Sequence, residues 1–412
     1  MLRRAALICI VPLILGSTAA LSKEARLPDV GGGALTPQGT DQTGPRSEKS
    51  NSQDPMSSAL VRTMEEGFAA YERRDFATAL RLWRLLADNG DMTAQNNLGV
   101  MYFNGIGVSQ DFKEAVNWYR SAAVQGLPRA QYNLGMTYER GQGVSQSFYE
   151  AVKWYRFAAA QGLTEAQYNL GAMFERGQGV AQNSTEAVKW YRLAAAQGFV
   201  AAQYNLAMML YDSIGASKDF SEAARLFLLA ATQGHVKAQF ELGGMSYEGR
   251  AFPKDVTEAM KWWRLAAEQG NVDAQNNLGL IYSEGKDVAQ NFREAAKWWR
   301  LAAAQGDAEA QKNLGVMYAD GQGMTRDFVR AHMWLNLSAA QSNAEAARFL
   351  DDVSKLMTVQ QIAEAETIAR SCKVSNYSRC DVLDGTLGDG PGDFQWGPNP
   401  SASQLTLEEL EE

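Results

Sequence analysis

Histidine and cysteine are scarce in this chain, and their scarcity limits the chemistry open to it. The 412 residues include two histidines, His235 and His332, and three cysteines. The residues around each histidine do not complete a catalytic triad or the ligand set of a metal site. We therefore interpret both as structural or surface histidines, and we expect no enzymatic activity, no cofactor and no metal ion.

Long apolar segments are also missing, apart from one short run near the N-terminus. Two arginines precede an apolar run over 5–15, and Thr18 and Ala20 occupy the small-residue positions of a cleavage site. Crossing a bilayer core of about 30 Å requires a longer run. The pattern predicts a signal peptide over 1–20 and a periplasmic or secreted protein without a transmembrane segment after cleavage. An uncleaved anchor is the alternative.

Both flanking segments lack the large apolar residues that hold a fold. We expect a disordered leader over 21–55, which is rich in glycine, proline, serine and charge. Residues 381–412 have eight acidic residues and no lysine or arginine, which accounts for the whole formal charge of −8. The near-neutral remainder argues against nucleic-acid binding. The tail is predicted to be disordered and solvated; the alternative is a partner-binding peptide built on Phe394, Trp396 and the final LTLEELEE.

The chain does contain a sequence motif that recurs every 36 residues. A fixed period in this range is typical of a solenoid, in which each repeat buries its apolar face against its neighbours. A Leu-Gly pair marks the repeat, with Ala207 in place of glycine in the fourth copy. Its leucines are Leu98, Leu134, Leu170, Leu206, Leu242, Leu278 and Leu314.

Each repeat is predicted to form two helices, here called helix A and helix B. In the copy over 130–162, Ala130, Leu134 and Tyr138 form one apolar stripe of helix A, and Gly135 allows another backbone to approach. Helix B begins at an N-cap residue followed three positions later by glutamate, which predicts a capping box. The pairs are Asp111/Glu114, Ser147/Glu150, Asn183/Glu186, Asp219/Glu222, Asp255/Glu258 and Asn291/Glu294, with Asp327/Arg330 as the exception.

The motif A-x-x-x-L-G-x-x-Y, followed by G-x-G-V and E-A-x-x-W-Y-x-x-A-A-x-Q-G, resembles the Sel-1-like repeat family. This family is related to the tetratricopeptide repeat. The resemblance covers about 64–341 and implies an all-α fold, a right-handed α-solenoid of antiparallel helix pairs. We expect a tetratricopeptide-like capping repeat over 56–91, seven Sel-1-like repeats over 92–341, and capping helices with a disulfide segment over 342–380.

The resemblance also implies a function. It suggests a monomeric scaffold or adaptor, regulatory and located in the bacterial envelope, that binds an unidentified protein or peptide. The alternative is a cell-wall or β-lactam-acting enzyme of the cysteine-rich repeat type. Those relatives carry a disulfide in each repeat, whereas this chain has no cysteine between Met64 and Gln341.

Cys372 and Cys380 are the two cysteines that remain if the signal peptide is cleaved. In an oxidising compartment, this pair predicts a disulfide. Two reduced thiols or a pair of metal ligands are the alternatives, which the absence of a nearby histidine disfavours.

Three further sets of residues recur at equivalent positions of the repeats. The helix-A glutamines predict a repeated hydrogen bond. The tryptophan-rich pairs of helix B favour packing between repeats over a ligand cage. The Gly-x-Gly loops favour tight turns over a phosphate loop, since no strand precedes them. The glutamines are Gln95, Gln131, Gln167, Gln203, Gln239, Gln275 and Gln311.

A partner-binding surface is predicted on helix A, opposite its core stripe. Tyr132 lies about 160° around the helix from Leu134, so we expect it to point away from the core. In related tetratricopeptide repeats this face lines a concave groove, where aromatic rings and asparagine amides could hold an extended peptide. Packing against the next repeat is the alternative. The predicted binding residues are Tyr132, Tyr168, Tyr204, Phe240, Asn133, Asn169 and Asn205.

Overall fold

A computed structural model describes residues 55–375, 377 and 380, and all regular structure in them is helical. These residues form eighteen helices and no strand, in two compact units that meet in sequence at Asp219 and Phe220. The predicted all-α class and the stacking of adjacent helix pairs are thus confirmed. None of the described helices has the length and hydropathy needed to cross a membrane. The predicted signal peptide, leader and acidic tail lie outside the described residues, except that Pro55 begins α1.

The N-terminal unit contains four helix pairs and one further helix A, and each helix packs against the next along the chain. Helices α2, α4, α6 and α8 are its helices B. The bounds are α1 Pro55–Glu72, α2 Phe76–Asp88, α3 Met92–Asn104, α4 Phe112–Val124, α5 Pro128–Arg140, α6 Phe148–Ala160, α7 Thr164–Arg176, α8 Ser184–Ala196 and α9 Val200–Asp212.

The C-terminal unit begins with a helix B, continues with three helix pairs and ends with two helices that pack on α16. The bounds are α10 Phe220–Thr232, α11 Val236–Glu248, α12 Val256–Glu268, α13 Val272–Glu284, α14 Phe292–Ala303, α15 Ala308–Asp320, α16 Phe328–Ala339, α17 Ala344–Ser354 and α18 Val359–Val374.

Small residues, leucine and one large ring fill the core of each helix pair. In α5 and α6, Ala130, Leu134 and Tyr155 are fully buried. Gly135 makes room for this ring, because a Cβ at that position would lie 2.7 Å from Tyr155 Cε1. Gly243 is placed in the same way against a tryptophan of α12. The close approach predicted for the Leu-Gly pair is therefore an approach of helix A to an aromatic side chain.

The Gly-x-Gly loop has two structural tasks. Gly141 ends α5 in the left-handed region, at φ 69°, where its N–H donates to the carbonyl of Thr137. Gly143, at φ 76°, lies directly against the backbone carbonyl of Phe112 in the preceding repeat, where a Cβ would clash. The loop is thus a helix end and a contact between repeats, as expected for a tight turn.

The predicted capping boxes are one-sided in α4, α6, α8, α12 and α14. Ser147 Oγ accepts the N–H of Glu150 at 3.3 Å, but the Glu150 carboxylate pairs with Lys153 at 3.2 Å instead of reaching back to the N-cap. The prediction of a reciprocal box is therefore wrong for α6, because a lysine three residues ahead on the same helix face competes for the carboxylate. The reciprocal box is present in α18, between Thr358 and Gln361.

Helices α17 and α18 complete the core of the C-terminal unit, where Ala346, Val353 and Ala369 are buried. Cys372 lies in the last turn of α18 and forms a disulfide with Cys380, at a Cα–Cα distance of 4.8 Å. Both cysteines are buried in the same core cluster. The predicted disulfide is confirmed, and it links Cys380 to α18 within this core.

Candidate partner-binding surface

A glutamine on helix A hydrogen-bonds to the preceding helix B. It also accepts a hydrogen bond from a glutamine that directly follows helix B of the same repeat. Gln131 Nε2 donates to the carbonyl of Ala123 in α4 at 3.2 Å, and Gln131 Oε1 accepts from Gln161 Nε2 at 2.8 Å. Gln239 repeats both bonds in the C-terminal unit, at 3.1 and 2.8 Å. The predicted repeated hydrogen bond is confirmed. It fixes the position of each helix A relative to its neighbours.

The predicted aromatic row is mostly buried. Tyr132 and Tyr168 are 4% and 7% exposed, Tyr204 is half-buried, and Phe240 in the C-terminal unit is 4% exposed. The expectation that Tyr132 points away from the core is therefore corrected. Whether these four residues contact a partner stays a prediction.

The burial of Tyr132 follows from the glycine one turn after it. Gly135 opens a space beside helix A that the Tyr155 ring fills, and Tyr132 packs on that ring with centroids 5.7 Å apart. The guanidinium of Arg129 lies over the Tyr132 ring, 6.0 Å from its centroid. Burial raises the pKa of Tyr132 to about 12. A helical wheel that assumes one buried stripe per helix does not predict that the side of Tyr132 is also packed.

The predicted asparagine row connects successive helices A. Asn133 Nδ2 donates to Asn96 Oδ1 at 3.0 Å. The Asn169 amide lies near the hydroxyl of Tyr132 in the preceding repeat, and Asn205 lies near that of Tyr168, where each opposes the rise in pKa that burial causes. Asn133 and Asn169 are buried, whereas Asn205 is half-buried. The bond from Asn133 to Asn96 therefore helps to hold α3 and α5 at a fixed spacing.

Two glutamates of helix A accept hydrogen bonds from buried tyrosines of helix B. Tyr155 Oη donates to Glu139 Oε2 at 2.5 Å, and Tyr191 Oη donates to Glu175 Oε2 at 2.5 Å. Burial raises the pKa of both tyrosine hydroxyls well above its ordinary value, and the neighbouring carboxylate raises it further. The bonds tie helix A to helix B inside a repeat.

This glutamate–tyrosine pair was not predicted from the sequence, although the copies carry a signal for it. Phe103 stands in the glutamate position of the repeat of α3 and α4, and its ring faces Tyr119 at a centroid distance of 6.3 Å. In α11 and α12, Tyr247 lies against Trp263 at 5.5 Å. In both copies the residue in the glutamate position still contacts the ring 16 residues later, so the two positions are partners in space.

The accessible part of helix A lies beside the buried row. Arg140 and Arg176 are exposed at the C-terminal ends of α5 and α7, and Met136 and Met208 are half-buried on α5 and α9. We call these four residues the helix-A surface. The arginines lie close enough to the tyrosine row to oppose the rise in pKa of the Tyr132 and Tyr168 hydroxyls that burial causes.

In α15, the position equivalent to Tyr132 holds a buried charge in place of the ring. The side chain of Lys312 is 5% exposed, and its Nζ lies 2.6 Å from Glu309 Oε2 and 2.9 Å from Glu345 Oε2. Burial alone would lower the pKa of Lys312, but its hydrogen bonds to the two carboxylates raise it above the ordinary value. The ion pair between Lys312 and Glu345 connects α15 to α17, so this lysine has a structural role.

The two histidines take structural positions. His235 caps α11, where its Nδ1 accepts the N–H of Ala238 at 3.2 Å. His332 is 4% exposed within α16, and burial lowers the pKa of its imidazole. Within the described residues there is no group of three or more side chains that could hold a metal ion.

Comparison with protein families identifies the repeat. The Sel1 repeat model matches eight consecutive segments, which include the first helix pair. The chain belongs to the Sel1 repeat family. The matched segments are 64–91, 93–127, 128–163, 164–199, 200–235, 236–271, 272–307 and 308–343.

Two solved structures of Sel1 repeat proteins resemble this chain. A Sel1 repeat protein from Oxalobacter formigenes is 33% identical with a TM-score of 0.56, and the match covers 73% of this chain and 91% of that one. The protein c5321, a protective antigen of uropathogenic Escherichia coli strains with an SLR fold, is 28% identical with a TM-score of 0.51, covering 82% and 90%. A search of curated protein sequences finds no match. Sel1 repeat proteins typically act as protein-interaction scaffolds and are generally non-catalytic.

Proposed function

We propose that this Sel1 repeat protein is a non-enzymatic, regulatory adaptor of the bacterial envelope, periplasmic or secreted. It binds an extended segment of a partner protein along the helix-A surface of its N-terminal unit. The half-buried Tyr204 and Asn205 contact the partner directly, and the buried Tyr132 and Tyr168 form the floor beneath it.

The observation that carries this proposal is the hydrogen-bonded frame under the helix-A surface. Gln131, Asn133 and Glu139 of α5 bond to the preceding repeat, to helix B or to both. Side chains above such a frame are already ordered before a partner arrives, so binding costs less conformational entropy. A rigid, repeated surface without reactive groups suits recognition.

The chemistry of the surface favours an apolar partner segment with acidic residues. Arg140 and Arg176 occupy the same position in successive repeats, and a guanidinium binds a carboxylate through paired N–H groups. Met136 and Met208 offer flexible apolar contacts that adapt to different side chains. The expected partner therefore carries acidic residues between apolar ones.

Three observations support a location in the envelope. The N-terminal sequence has the pattern of a secretory signal, and a similar Sel1 protein is a protective antigen. The disulfide between Cys372 and Cys380 fits an oxidising compartment. Because it lies outside the repeats, it differs from the disulfides in each repeat that mark the cysteine-rich enzyme alternative.

Affinity capture from bacterial envelope extract tests the proposal, with the chain from residue 21 as bait. The Arg140→Glu/Arg176→Glu variant should lose the captured protein, because reversed charges repel its acidic residues. The matched control is Arg120→Glu/Arg156→Glu, two exposed arginines on helices B, which should retain it. Circular dichroism must show all three proteins equally folded.

Three further results decide the outcome. Cross-linking of the captured protein to α5 or α7 would support the helix-A surface. Equal retention by both variants would contradict it. Release of a reaction product from β-lactam or peptidoglycan by the purified protein would contradict the non-enzymatic assignment.

A further inference from the structure

Basic charge in the N-terminal unit is concentrated on its helices B. Residues 55–219 contain equal numbers of basic and acidic residues, so this part of the chain is neutral as a whole. Helices α2, α4, α6 and α8, however, together contain eight lysines or arginines and four acidic residues, a net charge of +4. Helices α3, α5, α7 and α9 contain three basic and four acidic residues, a net charge of −1. Charge is therefore segregated between the two sets of helices.

Exposed apolar side chains lie beside this basic charge. Leu85, Phe157 and Leu193 occupy the same position of α2, α6 and α8, and they are 55%, 48% and 49% exposed. The residue before this position is an exposed arginine in α2, α4 and α6. Repetition at one helix position marks a surface and not a scatter of single apolar residues. We call Arg84, Arg120, Arg156, Leu85, Phe157 and Leu193 the helix-B strip.

In α6 the basic and apolar side chains share one exposed face. Tyr149, Lys153 and Phe157 follow one another at intervals of four residues, and all three side chains are exposed. Residues at this spacing lie on the same side of a helix. Trp154 beside them is half-buried, and its ring centroid lies 5.7 Å from that of Phe157. The face therefore presents aromatic rings on both sides of a basic group.

Contacts between neighbouring helices B bring the strip residues onto one surface. The Arg84 guanidinium lies over the Trp118 ring of α4, 5.2 Å from its centroid. Trp154 of α6 packs against the core cluster of α4 and α5. Past the end of α8, Gln197 Nε2 donates to the carbonyl of Gly162, past the end of α6, at 3.1 Å. The strip thus continues from α2 to α8.

The strip arginines are oriented but keep binding capacity. Arg120 Nη2 donates to Tyr138 Oη at 3.1 Å. A guanidinium has five N–H donors, so one such bond orients it and does not use up its donors. Arg84 lies 3.9 Å from Asp88, but both side chains are exposed, and an ion pair of this kind contributes little in water. Both arginines therefore remain available to an anionic ligand.

A bilayer surface combines the two chemistries that this strip would recognise. Anionic phospholipids present phosphate groups, which a guanidinium binds through paired N–H groups, above an apolar layer. The charges are complementary, since helices B carry +4 and such a surface is negative. A lipid surface is also fluid, so it accepts apolar side chains at any spacing, whereas a folded partner would need a pocket for each of them.

We propose that the helix-B strip binds the surface of a bilayer that contains anionic phospholipids. The lipid phosphates lie on the arginines, and the apolar side chains lie below the headgroups. This inference does not depend on the proposed function, because it uses different residues and a different ligand. Binding of this kind holds a protein at a membrane without a transmembrane helix, and it weakens as salt screens the charges.

Flotation with lipid vesicles tests the proposal, with the chain from residue 21. This chain keeps every described helix and omits the apolar run over 5–15, which would itself bind lipid. It should float with vesicles of equal parts phosphatidylcholine and phosphatidylglycerol, and it should not float with vesicles of phosphatidylcholine alone. The Arg84→Glu/Arg120→Glu/Arg156→Glu variant should bind the anionic vesicles more than about tenfold more weakly. Phe157→Ser/Leu193→Ser should weaken binding about tenfold without changing the net charge.

The matched control changes three exposed arginines on helices A, Arg62→Glu/Arg140→Glu/Arg176→Glu, so the net charge falls by the same amount. It should bind the anionic vesicles as tightly as the unchanged chain. An equal loss in this control would show attraction by net charge alone and overturn the proposal. So would equal flotation with neutral vesicles, no flotation with either kind, or no effect of Phe157→Ser/Leu193→Ser.

Photo-cross-linking provides a second measurement that needs no change of charge. With benzoylphenylalanine in place of Phe157, irradiation of the vesicle-bound chain should give a lipid adduct, which mass spectrometry locates in α6. The absence of this adduct would overturn the proposal. An adduct with protein alone, when the same chain is irradiated with envelope membranes, would also overturn it and would indicate an acidic protein as the ligand of the strip.

Discussion

One hydroxyl joins helix A to helix B in the repeat of α5 and α6. Tyr155 is fully buried and donates to Glu139, so Tyr155→Phe leaves a partly buried carboxylate without this donor. We expect the free energy of unfolding to fall by about 1–3 kcal/mol. Tyr119→Phe is the matched control, since Phe103 stands where the glutamate would be. Urea unfolding measures both, and an equal loss would show that the hydrogen bond contributes little.

Alkaline pH tests the burial of the tyrosine row. Burial raises the pKa of Tyr132 from 10.0 to about 12, and it raises the pKa of Tyr168 as well. The unfolded chain loses these protons near pH 10, where the folded chain keeps them. The free energy of unfolding should therefore be intact below pH 10 and fall as pH rises towards 12. Tyr132→Phe should reduce this fall in a series of urea unfolding curves; an unchanged slope would contradict the assignment.

The candidate site was only partly predictable at this scale. The row positions of Tyr132 and Asn133 follow from the period alone, because each copy has an equivalent position 36 residues away. Their burial does not, because it depends on Tyr155 filling the space beside Gly135. Periodicity identifies which residues are equivalent, whereas exposure depends on contacts between side chains far apart in sequence.

At the scale of the element, the Gly-x-Gly loop serves packing between repeats. Gly143 and Gly162 both have positive φ, at 76° and 88°, but Gly143 lies against the Phe112 backbone and Gly162 has open space around it. Gly162→Ala should cost only the backbone strain, about 1 kcal/mol. Gly143→Ala should cost about 1–3 kcal/mol more, because the methyl group forces the loop off α4. Thermal unfolding of the two variants checks this, and equal costs would refute the packing role.

Helix ends show what sequence patterns predict well and poorly. The N-caps at Ser147 and Asn183 bond as the pattern predicts. The reciprocal half of the box fails at Glu150, because Lys153 offers a charged partner on the same helix. A pattern that specifies one acceptor for one donor survives in the structure. The Glu150 carboxylate has two possible partners, and it pairs with Lys153, which the capping-box pattern does not include.

At the scale of the whole molecule, the fold was largely predictable because one arrangement of two helices is repeated along the chain. Each repeat has the same helix-A glutamine and alanine, and the glycine of the Leu-Gly pair is replaced only by Ala207, so a correct interpretation of one repeat extends to the others. The difference in net charge between helices A and helices B is spread over four repeats. It is seen only when the charges are summed separately over all helices A and all helices B. Binding surfaces of this kind are therefore harder to predict than the fold that carries them.

The disulfide tests how far a local change spreads along the repeats. Cross-linking Cys372 to Cys380 closes a short loop, and chain entropy predicts a loss of about 2.5 kcal/mol in Cys372→Ala/Cys380→Ala. Because each repeat contacts only its neighbours, the loss should be confined to helices near α16 and α18. Hydrogen exchange should therefore accelerate in α14–α18 and remain unchanged in α2–α8. Equal acceleration throughout would show that the two units unfold as one.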